Sequence, residues 1–144
     1  MTRPELLQFM RRHKLAVQAS VSASGSPQAA VVGIVVTDDL EIFFDTLDRS
    51  RKAQNLRHDA RIAFVVGGPT WGDEVTVQYE GVVDEPGGDE LQRLKALYFA
   101  QFPDGLEREA WPGILYLRAR PAWIRYSDFS KVPASTVELT FADA

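Results

Sequence analysis

The sequence predicts a mainly β fold: a small antiparallel barrel or closed sheet of about six to seven strands, carrying two to three helices. Three observations predict it. Short runs of alternating apolar and polar residues recur along most of the 144 residues. The connections between the first three runs are too short for the parallel crossover, which needs a dozen residues or more. Only one long segment, from Leu91 to Phe102, has its apolar residues at helical spacing.

At this length one domain, residues 1–144, with a single core is expected. An apolar fraction of 45% with 25% charged residues is ordinary for a globular chain, and no apolar run approaches a membrane span. Met-Thr-Arg-Pro-Glu-Leu-Leu does not read as a secretory signal, so the cytoplasm is the expected compartment. A net charge of −4 argues against general binding to nucleic acid, whose phosphates most of the surface would repel. The chain has no cysteine, which excludes disulfides, thiolate nucleophiles and cysteine-ligated metals within it.

In chain order, Thr2-Arg3-Pro4-Glu5 has the spacing of a capping box and opens a short helix presenting Leu6, Leu7, Phe9 and Met10. Leu15, Val17, Ala19 and Val21 alternate with smaller or polar residues, which reads as a half-buried strand. After the turn Ser24-Gly25-Ser26-Pro27, the dense apolar run from Ala29 to Thr37 reads as a central strand. Asp38-Asp39 turns the chain into a strand over Leu40–Asp45. Further strands are read at Arg61–Val66, ended by Gly67-Gly68-Pro69, and from Val75 through Val83. Leu91, Leu94, Leu97, Tyr98 and Phe102 form the apolar stripe of the long helix, read as core packing. Ile114–Arg120 and Ala122–Ser127 read as two strands separated by Pro121, and Val137, Leu139 and Phe141 as a last one.

Charge is concentrated between the strand ending at Asp45 and the one starting at Arg61. Arg49, Arg51, Lys52, Arg57 and Arg61 stand there against Asp59 alone, a segment of +4 that leaves −8 for the rest of the chain. Thr46, Ser50, Arg51 and Lys52 lie within seven residues, where strand gives way to helix. Hydroxyl donors, a bidentate guanidinium and a mobile ammonium suit a terminal phosphate monoester. With Ser50 as cap, the free N–H groups of the first turn would face the same anion. A solvated basic face is the plain alternative.

The segment from Phe44 to Leu56, with its Ser50-Arg51-Lys52 motif, resembles the flavin-phosphate segment of the pyridoxamine 5′-phosphate oxidase-like, FMN-binding split-barrel family. The likeness continues in Val75–Gly81, in the helix ending near Phe102-Pro103 and in Pro121–Tyr126. It implies an antiparallel split barrel, a homodimer, and FMN at the subunit interface serving an oxidoreductase that acts on a small molecule. It also implies that Thr46, Ser50, Arg51 and Lys52 hold or approach the FMN phosphate. Val31, Val32 and Gly33 would lie beside the ring, and Thr76 or Gln78 would touch it. The position before the threonine, often aromatic in the family, is Asp45 here. Authentic vitamin B6 oxidases place cations around the second strand and end in a basic, histidine-containing segment. Here that strand is Ala-Ala-Val-Val-Gly-Ile-Val and the sequence closes Val-Glu-Leu-Thr-Phe-Ala-Asp-Ala, so a different substrate is expected.

Trp71, Trp123 and Tyr126 are the candidates for a ring face or substrate wall, with core packing as the other reading of each. Trp111, before Pro112-Gly113, reads as structural. His13 and His58, the only histidines, follow arginines, which disfavours a metal. The alternative to an enzyme is a non-catalytic protein binding flavin, deazaflavin F420 or haem.

Overall fold

The computed structural model describes residues 1–68 and 70–142; Pro69 of the predicted turn lies outside them. Thr2 caps α1 (Arg3–Arg11) as its spacing predicts: its hydroxyl accepts from Glu5 N at 3.3 Å, and the Glu5 carboxylate accepts from Thr2 N at 2.6 Å. Then come β1 (Leu15–Val21), β2 (Pro27–Gly33), β3 (Val35–Val36), β4 (Ile42–Leu47) and α2 (Arg51–His58). After β5 (Arg61–Val66) and β6 (Val75–Asp84), α3 (Gly88–Gln101) and α4 (Gly105–Arg108) cross to β7 (Ile114–Asp128) and β8 (Ser135–Thr140). Nothing in the sequence pattern signals α4, a single turn.

All pairings are antiparallel, in the order β2-β1-β5-β6-β7-β4-β3, with β8 added to β7. The two ends of that order, β2 and β3, are joined by Ile34 alone. A sheet whose first and last strands are consecutive in the chain must curl, and it curls into a barrel split where β2 lies beside β4 without pairing. The run from Ala29 to Thr37 is therefore not one central strand. Ile34 N–H still donates to Lys14 O at 2.9 Å, whereas Val35 already pairs with Phe43. The change of partner leaves both halves at sheet edges.

Nor does Pro121 interrupt the strand that contains it. β7 runs through it because β6 supplies a register shift between Glu80 and Gly81, the latter paired with Pro121. A Cβ on Gly81 would stand 2.4 Å from the Arg120 carbonyl oxygen, so only glycine fits.

β4 separates two cores. Ile42 and Phe44 face the barrel with Ile62, Phe64, Val77, Tyr79 and Ile124, closed at one end by Leu6, Phe9 and Met10 of α1. Phe43 faces the other way, stacking on Tyr116 at 5.8 Å beneath Leu94 and Tyr98 of α3. Leu97, one member of the predicted stripe, is instead 41% exposed. Tyr79 fixes the barrel's turn: its hydroxyl donates to Leu40 O at 2.9 Å and Ala119 O at 3.1 Å, bracing Leu40 at a φ of +62°. Burial raises the Tyr79 phenol above its ordinary range, keeping it a donor.

On β1 the buried face is not the apolar one. Ala16, Gln18 and Ser20 point into the barrel, while Leu15, Val17 and Ala19 point out.

Candidate functional site

β4 delivers the basic turn to the split. Thr46 Oγ1 and Ser50 Oγ lie 2.9 Å apart, and Ser50, in extended backbone, caps α2 by accepting from Ala53 N at 3.2 Å. The cap is as the sequence predicts, and it leaves the N–H groups at the start of α2 directed outward beside Arg51 and Lys52. Of the five cations in this segment, two are engaged elsewhere: Arg57 reaches Glu85 at 3.3 Å and Arg61 reaches Asp59 at 2.7 Å. Hydrogen bonds from Arg61 hold the Asp59 carboxyl down at about 2, so that pair stays ionic. Arg49, Arg51 and Lys52 have no carboxylate partner among the described residues.

Arg51 and Lys52 border a cleft of about 290 Å³ whose other walls are Gln18, Ser20, Gln28, Ala29 and Ala30. Beneath it, Asn55 Nδ2 donates to Ser20 Oγ at 3.1 Å and to Gln28 Oε1 at 2.8 Å, tying α2 to β1 and β2. Gln18 is 2% exposed, and its Oε1 has no hydrogen-bond partner. Sequence patterning singles out neither Gln18 nor Asn55. The sign that could have found Gln18 is an amide on a strand whose apolar residues turn out to face solvent.

The open edge of β2 begins at this cleft. Ser22 N donates to Ser26 O and Ile34 N to Lys14 O, so even-numbered residues of β2 bond to β1. By the alternation of an antiparallel ladder, the N–H and C=O groups of Ala29, Val31 and Gly33 point to the free edge. Val32 faces the interior at 7% exposure, and Val31 faces out at 63%. Gly33 is closely approached: a Cβ there would stand 2.9 Å from the Phe102 ring, which packs over it.

On the barrel's outer face, Leu15, Val17, Val31, Val65, Gly67, Gly68 and Thr76 line an apolar hollow of about 430 Å³. Gln78 borders the neighbouring hollow with Ala19, Ala63, Glu80 and Trp123. Thr76 and Gln78 thus share a face, as two-residue spacing requires, but serve different hollows. Trp123 donates to Glu138 at 3.3 Å and lies under Arg125. Tyr126 turns its ring edge-on to Phe9, 5.6 Å away, at the barrel end. Trp71 is fully exposed and is not folded onto the core; Trp111 is half exposed. Asp45 faces α3, accepting from the Tyr98 hydroxyl at 3.0 Å and from Arg108 Nε at 2.9 Å. Burial and that carboxylate raise the Tyr98 phenol.

A split antiparallel barrel with a capped basic turn at its split defines the fold class. The sequence belongs to the pyridoxamine 5′-phosphate oxidase family, whose family model matches residues 2–128. No curated protein matches it. Among solved structures it is similar to a haem-binding protein of Mycobacterium smegmatis (17% identity, 97% of this chain, 58% of that one, TM-score 0.83). It is also similar to the haem storage protein HutZ of Vibrio cholerae (18% identity, 82% and 88%, TM-score 0.72). A third is a conserved hypothetical protein of Mycobacterium tuberculosis (22%, 100% and 95%, TM-score 0.76). The chain spans less than two thirds of the M. smegmatis protein. At these identities the structural likenesses establish the fold alone.

Proposed function

We propose that this chain binds FMN and acts, as a cytoplasmic homodimer, as an FMN-dependent oxidoreductase on a small molecule other than a phosphorylated B6 vitamer. The observation that carries this reading is the set of cations without carboxylate partners, Arg49, Arg51 and Lys52, at a capped helix start where the open edge of β2 passes. Thr46, Ser50 and the first N–H groups of α2 complete a donor set suited to a phosphate monoester. From Ser20 back to Leu15 the strand advances about 16 Å, leading from the anion cleft to the apolar hollow. That order, anion first and apolar surface last, fits a phosphate, a linker and a flat ring. The free backbone groups of Val31 and Gly33 would meet the ring's polar rim, and Thr76 or Gln78 its surroundings.

Bound there, FMN would supply the electron-transfer chemistry, while the chain's residues hold and orient it. The exposed Leu15, Val31 and Val65, at 60, 63 and 43%, support a second copy covering this face, which would enclose the ring between subunits. Trp71 and Trp123 would then stand at the substrate side. β2 brings no cation to the cleft, which disfavours a phosphorylated vitamin as substrate.

The names of two similar structures favour a second reading, a haem-binding protein. Against it, His13 packs on the Phe9 ring at 4.9 Å, and His58 is exposed at the far end of α2. Neither histidine borders the anion cleft or the two outer hollows. The longer acidic tail of deazaflavin F420 would call on Arg57 and Arg61, which already have carboxylates. An absorption spectrum and an FMN titration of the purified protein test the choice. One flavin per chain is the expected result. Haem uptake with no flavin bound overturns the proposal, and light scattering at the mass of one chain removes the dimer.

A further inference from the structure

We propose that a second copy docks about a two-fold axis running along β5, seating Trp123 and Glu80 of each copy on Ala29 and Ala19 of the other. This deepens the dimer reading and rests on it for the presence of a second copy. One row crosses the outer face of the sheet from β2 to β7: Ala29 pairs with Ala19, Ala19 with Ala63, Ala63 with Glu80, and Glu80 with Trp123. Each alternates with a buried neighbour (Val32, Ser20, Ile62, Tyr79 and Ile124 mark the inward side of the five strands), so the row points outward. The row is lopsided. Alanines fill its β2 side and centre, and a carboxylate and an indole fill its β7 side. The next row, Val31-Val17-Val65-Gln78-Arg125, runs the same way, from short apolar to long polar side chains.

Two identical faces that cover each other are related by a two-fold axis lying between them. An axis across the strands sets each strand against its own counterpart. Bulk then meets bulk on β7, and alanine meets alanine on β1 and β2, which leaves a gap. An axis along β5 exchanges the two sides instead: Trp123 comes over Ala29, Glu80 over Ala19, and Ala63 meets Ala63. Bulk then falls where the face has none, the packing that a well-fitted interface needs. The same exchange suits the charges. Glu80 has no cation within salt-bridge reach among the described residues, and Ala29 borders the cleft of Arg51 and Lys52. Each copy thus carries its uncommitted carboxylate toward the basic edge of the other, whereas the crossed axis sets like charge against like.

The test is an exchange of sizes, read by sedimentation equilibrium on the whole chain. Ala29 is exposed, so the fold tolerates a larger side chain there. Ala29→Phe sets a ring under the incoming Trp123 twice per dimer and should raise the dissociation constant about a hundredfold. Adding Trp123→Ala in the same chain moves the bulk from one side of the row to the other. The double variant should return to within about tenfold of the wild-type dissociation constant. A wild-type dimer that Ala29→Phe leaves intact overturns the axis and leaves the dimer reading standing. So does a folded double variant that associates no better than Ala29→Phe alone. A wild-type mass of one chain at all concentrations overturns the dimer reading and this inference with it.

Discussion

Arg118, in the middle of β7, is 6% exposed and enclosed by carboxylates, whereas Arg51 and Lys52 at the start of α2 reach none. Arg118 donates to both oxygens of Asp84 at 3.0 and 2.8 Å and to Glu90 at 2.8 Å, with Glu41 at 4.0 Å and Arg120 sharing two of its partners. The hydrogen bond to Asp84 raises the Arg118 pKa above its ordinary value, so the guanidinium stays charged at any working pH. Its charge is consumed by the fold: it locks α3 to the sheet. The charges at the split are not consumed, and their surroundings offer hydroxyls, free backbone N–H groups and an unfilled amide. The difference separates positive charge that holds structure from positive charge that the fold leaves without a carboxylate.

Substitutions at three places sharpen that contrast. Arg118→Met should have the largest effect on stability, a loss of about 1.5–3 kcal/mol by denaturant titration, because it removes a buried guanidinium that Asp84 and Glu90 share. Lys52→Ala or Arg51→Ala should leave the denaturation midpoint near wild type. Each should weaken FMN by about 1.5–3 kcal/mol in fluorescence titration, the scale of a charge-assisted hydrogen bond. An unfolding defect in these variants instead would make the two clusters alike. The smallest effect belongs to Arg57→Ala, which removes an exposed pair with Glu85. Its stability should fall by no more than about 1 kcal/mol, and its FMN affinity should hold.

Local signals are legible in the sequence and long-range ones are not. The Thr2–Glu5 box and the Ser50 cap depend on neighbours three residues away, and both form as read. The break at Ile34 depends on β4 and β1 competing for one apolar run, which the run itself does not encode. Passage of β7 through Pro121 depends on Gly81, forty residues earlier, taking up the irregularity. The basic turn is readable because its residues are contiguous. Gln18 is not, because alternation on β1 suggests that its apolar side faces inward. Val17 faces out across a hollow, and the amide faces in. The apolar outer face is what the proposed second copy would cover, and the strand by itself does not encode that.

The central claim, that the cations at the split are kept for a phosphate, is tested most directly by titrating the protein with FMN and with riboflavin, which differ by that phosphate alone. The account predicts FMN binding at least about thirtyfold more tightly, a preference that collapses in the Arg51→Ala, Lys52→Ala double variant. Equal affinity for the two flavins in the wild type would contradict it.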